Sequence, residues 1–511
     1  MSADPNAARL VVPDPATATA HMKISRAQWA VRQFGKSSRE TVMTVAEAVA
    51  RAGHAKAKHY ADWAVRETGF GVVEHKTIKN ELSTLPLLDY YRDLDLVGPR
   101  ILPDVKMVEL PRPAGVIFAL TPATNPIATL YYKAMLAILS RNAIVFSPHP
   151  AARECSFDAA KMLAEAAEAA GAPAGLIQCV EQPSVPLVQE MMASDKVAVI
   201  MATGGGPMVR AAYSSGNPAL GVGPGNAVAY VDPSAKVDAT AKRLVESKSF
   251  DNSVLCTNES VVLTLDANRA NMERALRSAG AHLCNEADTD KLRDYLFSEH
   301  GFNVEAVGKS AAWIADKAGI RVNPSVRILV PTITAPGQDD QLFREKLCPV
   351  LTLASAVDFR QAITIAAQIL KRGGGHSAAF HGEAPGRLLE FSDALPVYRV
   401  VVNAPCSQGA AGFATHLPPS FMIGTGFAGR SSVGENVGPQ HLVHWTRIAY
   451  NKDASVPFDN FDLSVLERKQ PNRPAPVQAA PHTPSALPDS DRDMLRQLIL
   501  EELRGLSGGN T

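Results

Sequence analysis

The feature that most constrains the fold is the alternation of short apolar runs with helix-length segments over residues 115–202. Strands buried on both faces are short and apolar throughout, as in parallel sheets covered by helices. The pattern therefore predicts a doubly covered, mostly parallel sheet, with strands at 115–120, 143–146, 176–180 and 197–202 and helices at 127–139, 152–170 and 185–193. A nucleotide site is expected where the carboxyl ends of these strands meet.

A second α/β pattern follows further along the chain, with a helix at 238–248 and strands at 260–265, 327–330 and 398–402. It predicts a second domain. Upstream, residues 38–66 carry apolar residues at helical spacing and predict two consecutive helices. Residues 96–113 lie between prolines, which favours an exposed strand or hairpin over a core element.

The two ends of the chain differ in composition from the rest. Residues 1–21 lack periodicity and are rich in Ala, Pro, Asp and Thr, so a disordered leader is expected. Residues 468–488 hold six prolines and should form an extended linker. Residues 489–506 then place aliphatic side chains on one helical stripe, and such a short amphipathic helix needs a partner surface to be stable.

Charge and cysteine content exclude several classes of function. Lys plus Arg and Asp plus Glu both total 51, so there is no basic excess for binding nucleic acid. No apolar run reaches the roughly 20 residues that span a bilayer. The six cysteines are scattered, without C-x-x-C or zinc-finger spacing, so we expect reduced thiols in a cytoplasmic protein and no metal site.

One of these cysteines, Cys256, follows a small polar turn and precedes a predicted strand, which would present a thiol at a cleft. On its local sequence alone, Cys256 is better explained as a buried structural thiol than as a reactive one. Three further segments lie near predicted strand ends: residues 119–126, with Asn125 between prolines, the glycine run at 202–208, and Gly-Val-Gly-Pro-Gly-Asn at 221–226. Singly each is weak, and none fits G-x-G-x-x-G.

Together with Glu-Lys-Leu-Cys-Pro-Val-Leu at 345–351, these segments resemble the aldehyde dehydrogenase superfamily in order and spacing. The resemblance is closer to its CoA-acylating branch, which contains acetaldehyde and propionaldehyde dehydrogenases and the aldehyde half of bifunctional alcohol dehydrogenases. It is carried by the motifs at 121–126, 141–150, 211–226 and 432–439, and it covers residues 25–465 approximately.

The resemblance implies an α/β fold with a Rossmann-type cofactor domain and an α/β catalytic domain. The corresponding ranges are 22–235 for the cofactor domain and 236–438 for the catalytic domain. Superfamily members oligomerise through a hairpin, here 96–113, and a terminal strand, here within 439–467. A homodimer or homotetramer is therefore expected.

The resemblance also implies the roles of two side chains. The cysteine at the position of Cys256 attacks the aldehyde, and hydride transfer to a nicotinamide cofactor then leaves a thioester. Its surroundings are expected to favour the thiolate. The Asn125 amide and the Cys256 backbone N–H match the oxyanion hole, and the weaker alternative for Asn125 is a turn-stabilising role.

Val222 is the most informative departure from the superfamily. Hydrolytic members carry a glutamate there, 34 residues before the cysteine, that activates the water attacking the thioester. Valine cannot accept a proton, so a thiol such as coenzyme A is the expected acyl acceptor.

Four positions match the family's cofactor contacts. Thr203, Gly204 and Gly205 match the turn that holds the pyrophosphate at a helix N-terminus. Glu345 matches the residue that orients the nicotinamide ribose, its alternative being a solvated charge beside Lys346.

Two further segments leave questions open. Ser147 and His149 stand where hydrolytic relatives carry a ribose-binding lysine, which leaves NAD or NADP undecided. His376 lies in a segment like Gly-His-Thr-Ala of the acylating branch, and a structural histidine is at least as good a reading.

The predicted function is oxidation of a two- or three-carbon aldehyde by NAD and CoA to acyl-CoA, in a reversible reaction. The alternatives are a hydrolytic enzyme, a sulfoacetaldehyde-specific acylating enzyme, and a catalytically degenerate assembly component. The tail resembles encapsulation peptides that bind microcompartment shell proteins, which predicts a location inside a bacterial microcompartment. Its helix could instead dock on the enzyme's own oligomer.

Overall fold

The computed structural model describes residues 15–299, 301–333 and 340–466. Five helices come first, followed by a hairpin: α1 (Pro15–Phe34), α2 (Arg39–Ala55), α3 (Ala57–Thr68), α4 (Val73–Leu82), α5 (Leu85–Tyr91), β1 (Arg100–Leu102) and β2 (Met107–Pro113). The disordered leader predicted over 1–21 is wrong for residues 15–21, which belong to α1. Ala20 is fully buried there, because α1 packs on a helix and a strand more than a hundred residues away. Residues 1–14 lie outside the described chain.

The first sheet has five parallel strands in the order β5-β4-β3-β6-β7. Its strands and helices, in chain order, are β3 (Val116–Thr121), α6 (Pro126–Leu139), β4 (Ala143–Pro148), α7 (Arg153–Ala169), β5 (Ile177–Cys179), α8 (Val185–Ala193), β6 (Val199–Thr203), α9 (Gly206–Ser214) and β7 (Ala219–Val222). Each strand and helix predicted over 115–202 is present. Every residue of β3, β4 and α6 is buried, which explains their continuous apolar sequence.

The second sheet has six parallel strands in the order β14-β15-β9-β8-β16-β17. The elements of this half are β8 (Ala227–Val231), α10 (Val237–Ser249), β9 (Glu259–Leu265), α11 (Asp266–Ser278), β10 (Ala281–Leu283), α12 (Glu286–Leu296), β11 (Phe297–Ser298), β12 (Gly301–Phe302), α13 (Ala311–Lys317), β13 (Ile328–Val330), β14 (Thr332–Ile333), β15 (Thr352–Ala356), α14 (Phe359–Arg372), β16 (Ala378–His381), α15 (Pro385–Ala394), β17 (Val400–Val402) and α16 (Cys406–Ala410).

Strand β8 shows how this sheet is buried on both faces. Val228 and Tyr230 belong to one buried cluster, whereas Ala227, Ala229 and Val231 belong to the cluster on the other side. This alternation is the two-residue period of a strand, and both faces are covered.

The position of β8 also shows that the domain boundary predicted at 235/236 is too far along the chain. Residues Ala227–Val231 were assigned to the cofactor domain, yet β8 pairs with β9 and β16 in the centre of the second sheet. The boundary therefore lies between β7 and β8. A short buried strand has the same local pattern in either sheet, so only its long-range pairing decides where it belongs.

The hairpin predicted within 96–113 is present, with β1 antiparallel to β2. A last strand, β18 (Val443–Ala449), pairs antiparallel with β2 along its whole length and completes a three-stranded sheet. Among the residues that the structure describes, no helix has the length and apolarity of a membrane span, and no group of His, Cys, Asp and Glu could hold a metal ion.

Candidate active site

The carboxyl ends of three strands in the first sheet form an edge that we call the cofactor edge, which comprises Thr121, residues 147–149 and residues 203–205. Leu120 of β3 is in register with Ser147 of β4 on one side and Ala202 of β6 on the other. The strand order reverses at β3, because β4 and β5 lie on one side and β6 and β7 on the other. Ligands of open α/β sheets bind in the crevice at such a point.

The turn from β6 to α9 fits the pyrophosphate of a dinucleotide. Gly205 is the N-cap of α9 and carries no side chain to cap the helix, so backbone N–H groups are left for a ligand. Buried Thr203 Oγ1 has no hydrogen-bond partner among the described residues. A Cβ added to Gly204 would meet nothing closer than Met208, at 3.7 Å, so the surface above the turn is open.

Ser147 and His149 complete the cofactor edge without adding a positive charge. Ser147 is buried, and the His149 backbone N–H donates to the Thr121 carbonyl at 3.0 Å. Burial lowers the pKa of His149 to about 4, and its Nδ1 accepts a hydrogen bond from the Ala151 N–H. A neutral ring offers no ionic partner to a ribose phosphate.

Cys256 follows a strained segment, and we call residues 250–256 the nucleophile loop. Asp251, Asn252 and Ser253 all have left-handed backbones, with φ of 51°, 49° and 66°. Three consecutive non-glycine residues in this region are unfavourable and persist only where the surroundings hold them. The Asp251 carboxylate accepts from the Val72 N–H at 2.7 Å, which ties the loop to the start of α4.

The surroundings of Cys256 favour its thiol rather than its thiolate. The side chain is partly exposed, yet burial of the sulfur raises its pKa to about 12. The Glu345 carboxylate adds to this rise, while Arg399 and Lys79 oppose it. The expectation that this site stabilises the thiolate is therefore wrong.

Asn125 lies beside the nucleophile loop, as an oxyanion donor for Cys256 must. It is the N-cap residue of α6, and its Nδ2 donates to the Val254 carbonyl at 3.0 Å, two residues before Cys256. Its Oδ1 accepts a short hydrogen bond from Lys79 Nζ. Asn125 therefore does more than stabilise a local turn.

Glu345 also lies near Cys256, through the loop at 221–226. Its Oε1 accepts the Gly225 N–H at 3.0 Å, and burial raises the pKa of this carboxyl to about 8. Lys346 does not pair with it, because its Nζ donates to the Leu342 and Arg344 carbonyls. The solvated-charge reading of Glu345 thus does not fit the structure.

Gly225 is the point of closest approach between this loop, the nucleophile loop and His376. A Cβ at Gly225 would lie 2.0 Å from the Cys256 carbonyl oxygen and 3.3 Å from His376 Cγ. His376 is fully buried; burial lowers its pKa to about 3, and its Nε2 has no hydrogen-bond partner within the described chain. The structure thus brings His376 to the site.

Val222 ends β7 and is 5% exposed, in the apolar core of the first half of the molecule. Val222 is also in register with Thr203 of the cofactor edge, and Gly225, three residues later, approaches Cys256, so residues 222–225 connect the cofactor edge to the nucleophile loop. The sequence did not reveal Lys76, Lys79 and Asp251, which meet beneath Asn125. The lysines are three residues apart on a polar-looking helix, and their burial leaves no local signal.

Comparisons with known proteins identify the family. Residues 9–448 match the aldehyde dehydrogenase family. The chain belongs to this family. The prediction of family and fold class is confirmed.

Two curated relatives of this chain carry names that state an acetylating or acylating activity. The chain is 36% identical over 464 residues to an aldehyde-alcohol dehydrogenase of Clostridium acetobutylicum, which covers 86% of this chain and 54% of the relative. The chain thus spans about half the length of that relative. A succinate-semialdehyde dehydrogenase (acetylating) of Clostridium kluyveri is 34% identical over 85% of this chain and 96% of the relative. A sulfoacetaldehyde dehydrogenase (acylating) of Cupriavidus necator is 35% identical over 90% of this chain and 94% of the relative.

Solved structures of the same family superpose closely. An acetylating aldehyde dehydrogenase from Geobacillus thermoglucosidasius has a TM-score of 0.84 at 34% identity, covering 86% of this chain and 98% of that one. A propionaldehyde dehydrogenase from the Clostridium phytofermentans fucose utilisation microcompartment has a TM-score of 0.78 at 26% identity, and the match covers 86% of this chain and 98% of that one. A Rhodopseudomonas palustris propionaldehyde dehydrogenase with bound propionyl-CoA has a TM-score of 0.76 at 27% identity, and the match covers 84% of this chain and 94% of that one.

Proposed function

We propose that this chain oxidises a short-chain aldehyde with a nicotinamide cofactor and coenzyme A, giving acyl-CoA and the reduced cofactor. The observation that carries the proposal is Val222, a buried valine where water-activating relatives place a carboxylate. Without that base, hydrolysis of a Cys256 thioester is slow and a thiol is the better acceptor. The relatives whose names state acetylating or acylating activity support this choice.

Each residue of the site has a proposed role in this reaction. Cys256 forms the bond to the aldehyde carbon, and the Asn125 amide with the Cys256 backbone N–H stabilises the resulting oxyanion. Thr203, Gly204 and Gly205 hold the cofactor pyrophosphate, and Glu345 orients the ribose next to it. The bound cofactor supplies the hydride acceptor. Unpartnered His376 Nε2 is the candidate acceptor for a hydrogen bond from the CoA thiol.

The charges around Cys256 favour a neutral aldehyde of two or three carbons. Arg399 and Lys79 are cations that act on the thiol, and both donate to protein oxygens: Arg399 to the His376 and Gly424 carbonyls, and Lys79 to Asp251. An aldehyde with a carboxylate or sulfonate would have to displace these partners. We expect kcat/KM for propionaldehyde to exceed the values for succinate semialdehyde and sulfoacetaldehyde; a preference for either anion would reassign the substrate class.

The cofactor is proposed to be NAD. The neutral His149 ring at the cofactor edge provides no charge for the extra phosphate of NADP. Equal kcat/KM for the two cofactors would contradict this assignment.

The acyl acceptor decides between the two enzymatic alternatives. Aldehyde and NAD are mixed with the purified full chain, with and without CoA, and NADH and acyl-CoA are measured. We expect turnover to require CoA and to vanish in Cys256→Ala, with Cys406→Ala, a fully buried thiol, as the matched control. NADH at full rate without CoA, and no acyl-CoA when CoA is present, would indicate the hydrolytic enzyme. Unchanged turnover in Cys256→Ala would indicate an assembly component.

Assembly is proposed at two levels. The sheet of β1, β2 and β18 exposes Ile101, Val105 and Ile448 and is the proposed oligomer contact, to be tested by light scattering of the purified protein. The predicted linker 468–488 and helix 489–506 lie outside the described residues, and delivery to a microcompartment shell stays a proposal supported by the Clostridium phytofermentans neighbour. Deletion of 489–511 should preserve catalysis and abolish co-purification with shell proteins, and retained co-purification would refute targeting.

A further inference from the structure

Lys79 is a buried cation in contact with the proposed oxyanion donor. Only 2% of its side chain is exposed, and its Nζ donates to Asn125 Oδ1, to Asp251 Oδ2 and, at 3.4 Å, to the Val254 carbonyl. An ammonium has three N–H donors and no acceptor, so these three oxygens use its full capacity. The lysine thus joins α4, the start of α6 and the nucleophile loop.

This contact decides which way the Asn125 amide points. The two ends of a side-chain amide have nearly the same shape, and their orientation follows from the partners that they meet. Burial lowers the pKa of Lys79 to about 7, and the Asp251 carboxylate opposes this fall, so the form that pairs with Asp251 is the ammonium. In that form Lys79 can only donate, so it selects Oδ1 and turns Nδ2 to the opposite side. One N–H of Nδ2 donates to Val254, and the other is left for the oxyanion that forms at Cys256.

We propose that Lys79 is a positioning residue for aldehyde oxidation, acting through Asn125 by fixing its amide with both N–H groups turned away from the lysine. The inference rests on the proposed role of Asn125 as oxyanion donor. A cation on Oδ1 also polarises the amide, which strengthens the hydrogen bond that Nδ2 donates.

Asp251 holds the lysine in place. Its carboxylate receives Lys79, Lys76 at 3.0 Å and the Val72 N–H, and it is fully buried. Burial opposes ionisation, but the two lysine charges keep the pKa of Asp251 below its ordinary value. The strained backbone of the nucleophile loop thus brings a permanent anion to the cation that orients Asn125.

Lys76 provides a matched control on the same helix. It is 4% exposed and also pairs with Asp251 Oδ2, but its other hydrogen bond goes to the Thr124 carbonyl at 2.7 Å rather than to the Asn125 side chain. Lys76→Met and Lys79→Met each leave Asp251 with one cation. They differ in whether the Asn125 amide loses its partner.

The experiment is a double-mutant cycle between Lys79→Met and Asn125→Ala in the full-length enzyme, with kcat and KM for propionaldehyde. Asn125→Ala should lower kcat by about 10²-fold to 10³-fold. Lys79→Met alone should lower kcat at least tenfold with KM nearly unchanged, and should cost less than threefold in the Asn125→Ala background. Lys76→Met should lower kcat at least threefold less than Lys79→Met does, and its loss should have the same size in the Asn125→Ala background. Equal losses in the two lysine variants, or a further tenfold loss from Lys79→Met in the Asn125→Ala background, would overturn the proposal.

A second variant and a second assay make the result decisive. If Lys79→Met melts below the assay temperature, Lys79→Gln is measured instead, because its amide can still donate. Lys79→Gln should retain more kcat than Asn125→Ala. A kcat loss in Lys79→Gln as large as that in Asn125→Ala would count against the proposal. If neither folds, neutron diffraction of wild-type crystals decides, because Nδ2 rather than Oδ1 facing Lys79 would refute it.

The burst of para-nitrophenolate from para-nitrophenyl acetate separates this inference from the proposed function. Acylation of Cys256 by this ester needs an oxyanion hole but neither cofactor nor CoA. The same cycle in the burst rate should show the same coupling between Lys79 and Asn125, even if the enzyme proves not to make acyl-CoA. Additive effects on the burst would overturn the positioning role alone.

Discussion

The cofactor edge and the nucleophile loop lie in one active site but are built by different means. The cofactor edge consists of strand ends, glycines and the uncapped N-terminus of α9, so its ligands are backbone N–H groups. The nucleophile loop is held by buried charges, with Asp251 of the loop between Lys76 and Lys79 of a helix that lies 172 residues or more upstream. The cofactor edge is a consequence of local chain geometry, whereas the nucleophile loop is a consequence of tertiary packing.

This contrast shows that the protein holds the nucleophile loop with buried charges, whereas the residues of the cofactor edge are neutral. In the proposed function, a cofactor phosphate would bring its own charge to the cofactor edge, and neutral donors are sufficient to bind it. The charge at the nucleophile loop would form only during the proposed reaction, so its donors have to be oriented beforehand. A buried ion pair is costly to desolvate, and its use here fits a demand for fixed geometry rather than for stability.

The largest expected effect concerns the charge state of Cys256. Because burial raises the pKa of this thiol to about 12, its thiolate fraction should rise about tenfold per pH unit from pH 7 to 10. Alkylation by iodoacetamide, followed by mass spectrometry of the Cys256 peptide, should therefore accelerate about 10³-fold over this range. Free N-acetylcysteine is the control, since its rate levels off near its ordinary pKa. A plateau at Cys256 below pH 9 would show that the loop stabilises the thiolate after all.

A smaller effect is expected from a methyl group placed where the glycine loop meets the nucleophile loop. Gly225→Ala would put a Cβ 2.0 Å from the Cys256 carbonyl oxygen, and the resulting shift of the nucleophile should lower kcat about 10²-fold. Gly223→Ala, in the same loop, would meet nothing within 4 Å and should leave the melting temperature and the Cys256 alkylation rate unchanged. Wild-type kcat in Gly225→Ala would mean that the nucleophile tolerates displacement.

The smallest effect is expected at the cofactor edge. Gly204→Ala meets only ordinary contacts at 3.7 Å, so the fold should be kept, but the methyl group narrows the space over the phosphate turn. We expect KM for NAD to rise about tenfold, or about 1.4 kcal/mol, with kcat nearly unchanged. Gly386→Ala in α15, where nothing lies within 4 Å, is the control. A fall in kcat without a change in KM would show that the two regions are not separable.

The strands of the cofactor edge were predictable from the sequence because their information is local. Apolar runs identify buried strands, and Thr203 ends one of them, directly before Gly204 and Gly205. The role of Cys256 as nucleophile stays a prediction, made from the order of motifs around Cys256 and Asn125. The surroundings of Cys256 were not, since the raised pKa of its thiol depends on the burial of the sulfur and on Glu345, 89 residues further along.

The sequence by itself determined the family and the parallel sheets, because periodicity and motif chemistry are properties of neighbouring residues. Tertiary structure decided that residues 15–21 join a helix, that β8 belongs to the second sheet, and that Lys79 contacts Asn125 from a distant helix. The physical reason is the same in each case. Burial, strand pairing and the cost of an enclosed charge depend on which distant segments meet.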